Sequence, residues 1–94
     1  MTYDNVPVRE ASRLAADGAQ LVDVREPDEF ATGSLPGAVN IPLSQLPARY
    51  SELNPNRRVV LLCRSGGRSA TAAEFLANQR FREVTNLAGG ILAL

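Results

Sequence analysis

Val59-Val60-Leu61-Leu62-Cys63-Arg64-Ser65-Gly66-Gly67-Arg68-Ser69-Ala70 decides the reading of this chain. Five apolar residues end on the single Cys. A short loop with two Gly and two Arg follows, and an Ala-rich stretch then begins. A bare apolar run with no alternation suits a strand buried on both faces of a parallel sheet. The stretch after it predicts a helix over Arg68 to Gln79, with Ala72, Ala73, Leu76 and Phe75 on its apolar face. Gly66 and Gly67 allow positive φ and close backbone approach. Successive amide N–H groups can then turn inward toward an anion, and the helix N-terminus adds partial positive charge.

A thiol in such a cradle loses its proton easily. Helix N-termini and nearby cations lower a Cys pKa from about 8.5 to as low as about 3.5–7.5. Cys63 is therefore the candidate nucleophile, with Arg64, Ser65, Gly66, Gly67, Arg68 and Ser69 as its anion-binding loop. Taken alone, each part has a plainer reading. A free Cys at a strand end is commonly a small buried hydrophobe, a Gly pair is a turn, and Ser65 or Ser69 is a helix cap. Together they do not, because no structural need places two Arg around two Gly directly after a strand-end Cys.

The same pattern of short apolar runs recurs outward from this segment. Gln20–Val24, Ala38–Ile41 and Val84–Asn86 read as further strands. Between them lie helical stretches. Val8, Ala11, Leu14 and Ala15 fall at helical spacing, and Gly18 stops them. Pro27 with Asp28 and Glu29 opens a short helix, as Pro and acids suit a first turn. Leu43–Tyr50 reads as another, broken or started at Pro47. Alternating strands and helices predict an α/β domain with a mainly parallel sheet. Sites in such sheets lie beyond the carboxyl ends of the strands, here the loops beginning at Arg25, Pro42 and Cys63.

Composition excludes much else. The 94 residues make one domain, 1–94. Ten Arg balance ten acids with no Lys, and the pI of about 6.2 argues against a general nucleic-acid partner. With no His, imidazole acid–base catalysis and His-dependent zinc sites are out, and one Cys cannot form a disulfide or a multi-Cys metal cluster. No cofactor or metal is expected. No basic and apolar leader opens the chain, and its longest apolar run, five residues, is far short of the roughly 20 of a membrane span. No membrane partner is expected, and a reducing, cytoplasmic setting fits best.

Two phosphate-binding patterns come near without fitting. A P-loop needs Gly-x4-Gly-Lys-Ser/Thr, but Leu62 stands at its first Gly and Arg68 at its Lys. The Cys-x5-Arg loop of Cys-based phosphatases is one residue longer than the Cys-x4-Arg loop here. A shorter loop suits a smaller target, such as one sulfur atom carried on the Cys.

The chain resembles the rhodanese-like sulfurtransferases, specifically the single-domain type. Four stretches carry the likeness in order: Leu21-Val22-Asp23-Val24-Arg25 with Glu29-Phe30, then Gly33 to Pro42, then Cys63 to Ser69, then Asn86-Leu87-Ala88-Gly89-Gly90-Ile91. The resemblance implies one rhodanese-like α/β domain, a mainly parallel five-stranded sheet flanked by helices on both faces. It implies that Cys63 takes sulfane sulfur from thiosulfate or a persulfide and passes it to a thiol or cyanide, in a ping-pong scheme. The backbone from Arg64 to Ser69 would hold the persulfide. Arg64 would steer a small anionic donor, and Arg68 would hold it or brace the loop. A sulfur-relay protein is a further possible acceptor, and a persulfide carrier or sensor with little small-molecule turnover is the alternative function.

Two positions depart from the family pattern. Ser34 stands where the family often has His. The chain ends Gly89-Gly90-Ile91-Leu92-Ala93-Leu94, so the family's closing helix is expected to be short or absent. Asp23 and Arg25 are expected to organise the loop. Arg25 could pair with Glu29 and so staple the loop to the short helix, and Asp23 could bond the amides of a neighbouring loop. Pro36-Gly37 and Gly89-Gly90 read as turns.

Overall fold

A computed structural model describes residues 2–94. Five strands form one sheet: β1 (Asp4–Pro7), β2 (Gln20–Asp23), β3 (Val39–Asn40), β4 (Val59–Leu62) and β5 (Val84–Ala88). Their spatial order is β1-β5-β4-β2-β3 and every neighbouring pair is parallel. The fully buried β4 sits at the centre, as its unbroken apolar run demands.

Alternation along β4 divides the core into two layers. Val59, Leu61 and Cys63 face one side, packed with Val22, Val24, Leu46, Ala72, Ala73 and Leu76. Val60 and Leu62 face the other, packed with Leu21, Leu87, Val8, Ala11 and Leu14. The first side is covered by α3 (Leu46–Arg49) and α4 (Gly67–Ala77), the second by α1 (Ala11–Ala16). A short α2 (Pro27–Ala31) follows β2 and buries no residue of its own. It is held by a capping box, in which the Glu26 and Glu29 side chains each accept from the other residue's end of the first turn. Among the described residues, no helix is long and apolar enough to cross a membrane.

Several boundaries differ from the sequence reading. β1 carries no apolar run and is mostly exposed; it joins the sheet by pairing its backbone with β5, and its Pro7 is tolerated because the strand is an edge. That pairing also extends β5 to Ala88, since Leu87 and Ala88 lie opposite Val6 and Pro7. At the other edge, β3 shrinks to two residues. The stretch 43–50 is three short pieces, a 3-10 turn at Leu43–Gln45, α3 with Pro47 in its first turn, and a 3-10 turn at Tyr50–Glu52.

Candidate active site

Cys63 is the first residue beyond β4, and the sheet fixes its direction. It continues the alternation of Val59 and Leu61, so its side chain points under the start of α4 and is only 1% exposed. The buried-hydrophobe reading is thus correct about packing. The polar surroundings of the sulfur are what set it apart.

The chain turns sharply over that sulfur. Gly66 has φ +104° and caps α4, a conformation that favours glycine. Its N–H donates to Cys63 Sγ at 3.0 Å, and the Ser69 hydroxyl, fully buried, lies 3.3 Å from the same sulfur. The Gly66 carbonyl lies 3.2 Å from Ser69 Oγ and accepts the Ala70 N–H at 3.1 Å. Burial pushes the Cys63 thiol up, but the Ser69 hydroxyl and the backbone N–H groups of Ser69, Gly66 and Ser65 together outweigh it. The Cys63 pKa is therefore lowered. Gly67, expected to share the left-handed role, is an ordinary first residue of α4; only Gly66 takes positive φ in this loop.

A second glycine holds the loop from below. Gly90 has φ +59° and ψ −162°, and a Cβ there would lie 2.5 Å from the carbonyl carbon and oxygen of Arg64 and from the Cys63 oxygen. Just after it, Ile91 N–H donates to the Cys63 carbonyl and Leu92 N–H to the Arg64 carbonyl, both at 3.0 Å. Gly89-Gly90 therefore does more than turn: it brings the backbone of 90–92 against the Cys63 loop. The closing segment is a single 3-10 turn at Ile91–Ala93.

Asp23 and Arg25 form a buried fork at the end of β2, the strand beside β4. Arg25 Nε donates to both Asp23 oxygens at 3.1 and 3.0 Å, and Nη2 donates to Oδ2 at 2.8 Å and to the Gly33 carbonyl at 2.7 Å. Asp23 Oδ1 also accepts the Arg25 N–H at 2.9 Å, and Ser34 Oγ donates to Oδ2 at 2.7 Å. Two expectations are corrected here. Arg25 pairs with Asp23, two residues back on the same side of the extended chain, and not with Glu29. Asp23 bonds an amide of its own loop and not of a neighbouring one. Ser34 completes this fork from the position where the resemblance led one to expect His.

Glu29 instead reaches α4. Its carboxylate takes Arg68 in a two-bond fork, Nη1 to Oε1 at 2.6 Å and Nη2 to Oε2 at 2.9 Å, and also accepts the Glu26 N–H at 3.0 Å. Arg68 and the Glu26 amide hold the Glu29 carboxyl down at about 2. Arg68 thus braces α2 against the start of α4. Arg64 is exposed, and its side chain has no ion pair among the described residues. Ser65 is exposed beside it, contributing its amide to the sulfur.

Sequence reasoning missed Gly90, the Glu29–Arg68 pair and Asn86. The buried Asn86 donates to Asn5 Oδ1 at 2.9 Å and, at a long 3.5 Å, to the Gly66 carbonyl, while its own Oδ1 has no partner among the described residues. The Gly-Gly pair directly after a strand was the one signal available for Gly90. A broad concavity lined by Arg13, Asp17, Arg57, Arg58 and Glu83 lies at the opposite, amino ends of the strands. There Arg13 and Arg58 are paired with Glu10, Asp17 and Glu83, and the Arg57 side chain is held on the Gly18 carbonyl.

Comparison with known proteins points the same way. The model of the rhodanese-like domain matches residues 8–94. A sulfurtransferase of Allochromatium vinosum is 44% identical over 84 residues, 88% of this chain and 78% of that protein. The thiosulfate sulfurtransferase GlpE of Stutzerimonas stutzeri is 32% identical, over 94% of this chain and 81% of its own. Among solved structures, the human single-domain sulfurtransferase superposes with a TM-score of 0.81 at 30% identity, covering 95% of this chain and 92% of its own.

Proposed function

This chain belongs to the rhodanese-like sulfurtransferase family, and from that premise we propose that Cys63 carries sulfane sulfur as a persulfide between an anionic donor and a thiol or cyanide acceptor. In the first half-reaction the Cys63 thiolate attacks the outer sulfur of the donor. With thiosulfate, a new S–S bond forms on Sγ, the bond between the outer sulfur and the sulfonate breaks, and sulfite leaves with the electron pair. The cysteine persulfide keeps one negative charge. In the second half-reaction the acceptor attacks the terminal sulfur, the S–S bond breaks, and the Cys63 thiolate returns. Cyanide leaves as thiocyanate and a thiolate leaves as a persulfide. No proton needs to be moved by a side chain, so the lack of His is no obstacle.

The observation that carries this reading is the set of donors on one sulfur: Gly66 N–H at 3.0 Å and Ser69 Oγ at 3.3 Å, at the start of α4. Such donors favour the anion over the thiol. They are also placed to stabilise the charge of a persulfide that extends outward. In this reading Arg64 steers the donor from the exposed loop, the backbone from Ser65 to Ser69 receives the anion, and a reducing compartment keeps Cys63 free to react. The test is intact mass after treatment with thiosulfate. A gain of about 32 Da, one sulfur, is expected and should be reversed by cyanide. Cys63→Ser should fold and gain nothing. Transfer retained in that variant refutes the mechanism.

A further inference from the structure

Two of the three Arg around the Cys63 loop are matched by a carboxylate, and Arg64 is the one left unpaired among the described residues. Asp23 neutralises Arg25 in the buried fork, and Glu29 neutralises Arg68 at the surface, where the two side chains are 30% and 37% exposed. Arg68 is the second residue of α4, directly before Ser69, whose hydroxyl lies 3.3 Å from the Cys63 sulfur, so an anion approaching that sulfur would feel its charge. Yet Glu29 is not free to swing away. Its carboxylate is fixed at a second point by the Glu26 N–H, in the capping box of α2. Releasing Arg68 to a donor requires breaking two charge-assisted bonds.

We propose that Glu29 determines donor specificity: by cancelling the charge of Arg68 it disfavours dianionic thiosulfate and shifts the site toward monoanionic sulfane donors, organic persulfides and thiosulfonates. This inference rests on Cys63 being the sulfur acceptor. Glu29 acts through Arg68 and is a positioning residue. The physical argument is that the work of bringing a donor to the rim scales with the donor's charge. A unit change at the rim therefore alters the logarithm of the loading rate twice as much for thiosulfate as for a thiosulfonate, R–SO2–S⁻. Both donors do the same chemistry, since attack on the outer sulfur releases sulfite from one and a sulfinate from the other.

The experiment compares Glu29→Gln, Arg68→Gln and the double variant with the parent protein. Loading of Cys63 is followed by intact mass, with thiosulfate and with methanethiosulfonate, at low ionic strength and at 1 M salt. Gln at position 29 still accepts the Glu26 N–H, so the cap of α2 survives. Glu29→Gln should load thiosulfate about 3- to 10-fold faster at low salt, with half that logarithmic gain for methanethiosulfonate. Arg68→Gln should slow both donors in the same two-to-one ratio. The double variant should return close to the parent rate, because positions 29 and 68 again sum to zero charge although the ion pair is gone. These differences should fade at 1 M salt, where the screening length is about 3 Å. Equal factors for the two donors, or a double variant as slow as Arg68→Gln, overturn the proposal in favour of bracing or direct holding by Arg68. If neither donor adds sulfur to the parent protein, the reading of Cys63 itself fails, and this inference with it.

Discussion

Replacing Gly90 by Ala tests whether residues 90–92 position the Cys63 loop. Two costs can be read from the geometry. The φ of +59° with ψ of −162° lies in a region open essentially to glycine, and holding another residue there costs about 1–3 kcal/mol. The added Cβ would also lie 2.5 Å from three backbone atoms of Cys63 and Arg64. Backbone cannot rotate aside, so the loop or the closing turn must move, at about 1–3 kcal/mol as for an overpacked core. The sum is about 2–6 kcal/mol. Gly18→Ala is the control, since Gly18 has φ +95° but nothing within 4 Å of a Cβ. It should cost about 1–2 kcal/mol from backbone strain alone. In a chain of this size, each kcal/mol lowers the melting temperature by roughly 4–8 °C. Thermal unfolding of both variants gives the stability difference. The ultraviolet absorbance of the thiolate, followed against pH, reports on the loop. In Gly90→Ala the thiolate should form at higher pH than in the parent, because displacing the Cys63 and Arg64 carbonyls pulls the amides off the sulfur. In Gly18→Ala it should form as in the parent. If Gly90→Ala is no less stable than Gly18→Ala and its thiolate titrates unchanged, the clamp from residues 90–92 is not what holds the loop.

Three further outcomes follow from the site. Ser69→Ala removes the strongest contact lowering the Cys63 pKa and leaves burial, which raises it, so the thiolate should form at higher pH. The linked stability has a definite sign: with the folded pKa below the unfolded one, the ionised form's stabilisation is complete above the unfolded value and is lost as pH falls through the folded value. Urea midpoints across that window should rise with pH in the parent and rise less in Ser69→Ala. Asp23→Asn leaves the Arg25 guanidinium buried without its counter-charge and should cost about 3–5 kcal/mol in denaturant unfolding. Arg64→Ala should change stability by less than about 0.5 kcal/mol. It should nonetheless slow thiosulfate loading about 3- to 10-fold at low salt, a loss that shrinks as salt is added.

The fold and the position of the Cys63 loop in it were legible for a local reason. Val59 to Cys63 is apolar at every position, which leaves a central parallel strand as its natural place, and a loop from such a strand must emerge at the carboxyl edge of the sheet. Ala72, Ala73 and Leu76 recur at helical spacing, and all three are fully buried against that sheet. β1 was not legible, because Asp4–Pro7 is an edge segment whose place depends on backbone pairing with β5 and leaves almost no trace in side-chain pattern. The charge pairing was misread at Glu29 because spacing along the chain suggested Arg25, four residues away. The actual partner, Arg68, is 39 residues away and meets Glu29 only because the fold brings the start of α4 within side-chain reach of α2.

By itself, the order of residues determined which atoms are available: one thiol, no imidazole, two Arg about two Gly, and a strand and helix to hold them. Those are consequences of composition and of periodicity over a few residues, and they need no knowledge of distant contacts. Tertiary structure decided how the atoms are used. It turned Gly66 N–H and Ser69 Oγ onto the sulfur, set Gly90 against the Cys63 carbonyl, closed Asp23 on Arg25, and gave Arg68 to Glu29 while leaving Arg64 exposed. The reason is physical. Hydrogen bonds and ion pairs act over a few ångströms, and whether two groups come that close is settled by how the sheet and its two helical layers pack, not by their separation along the chain.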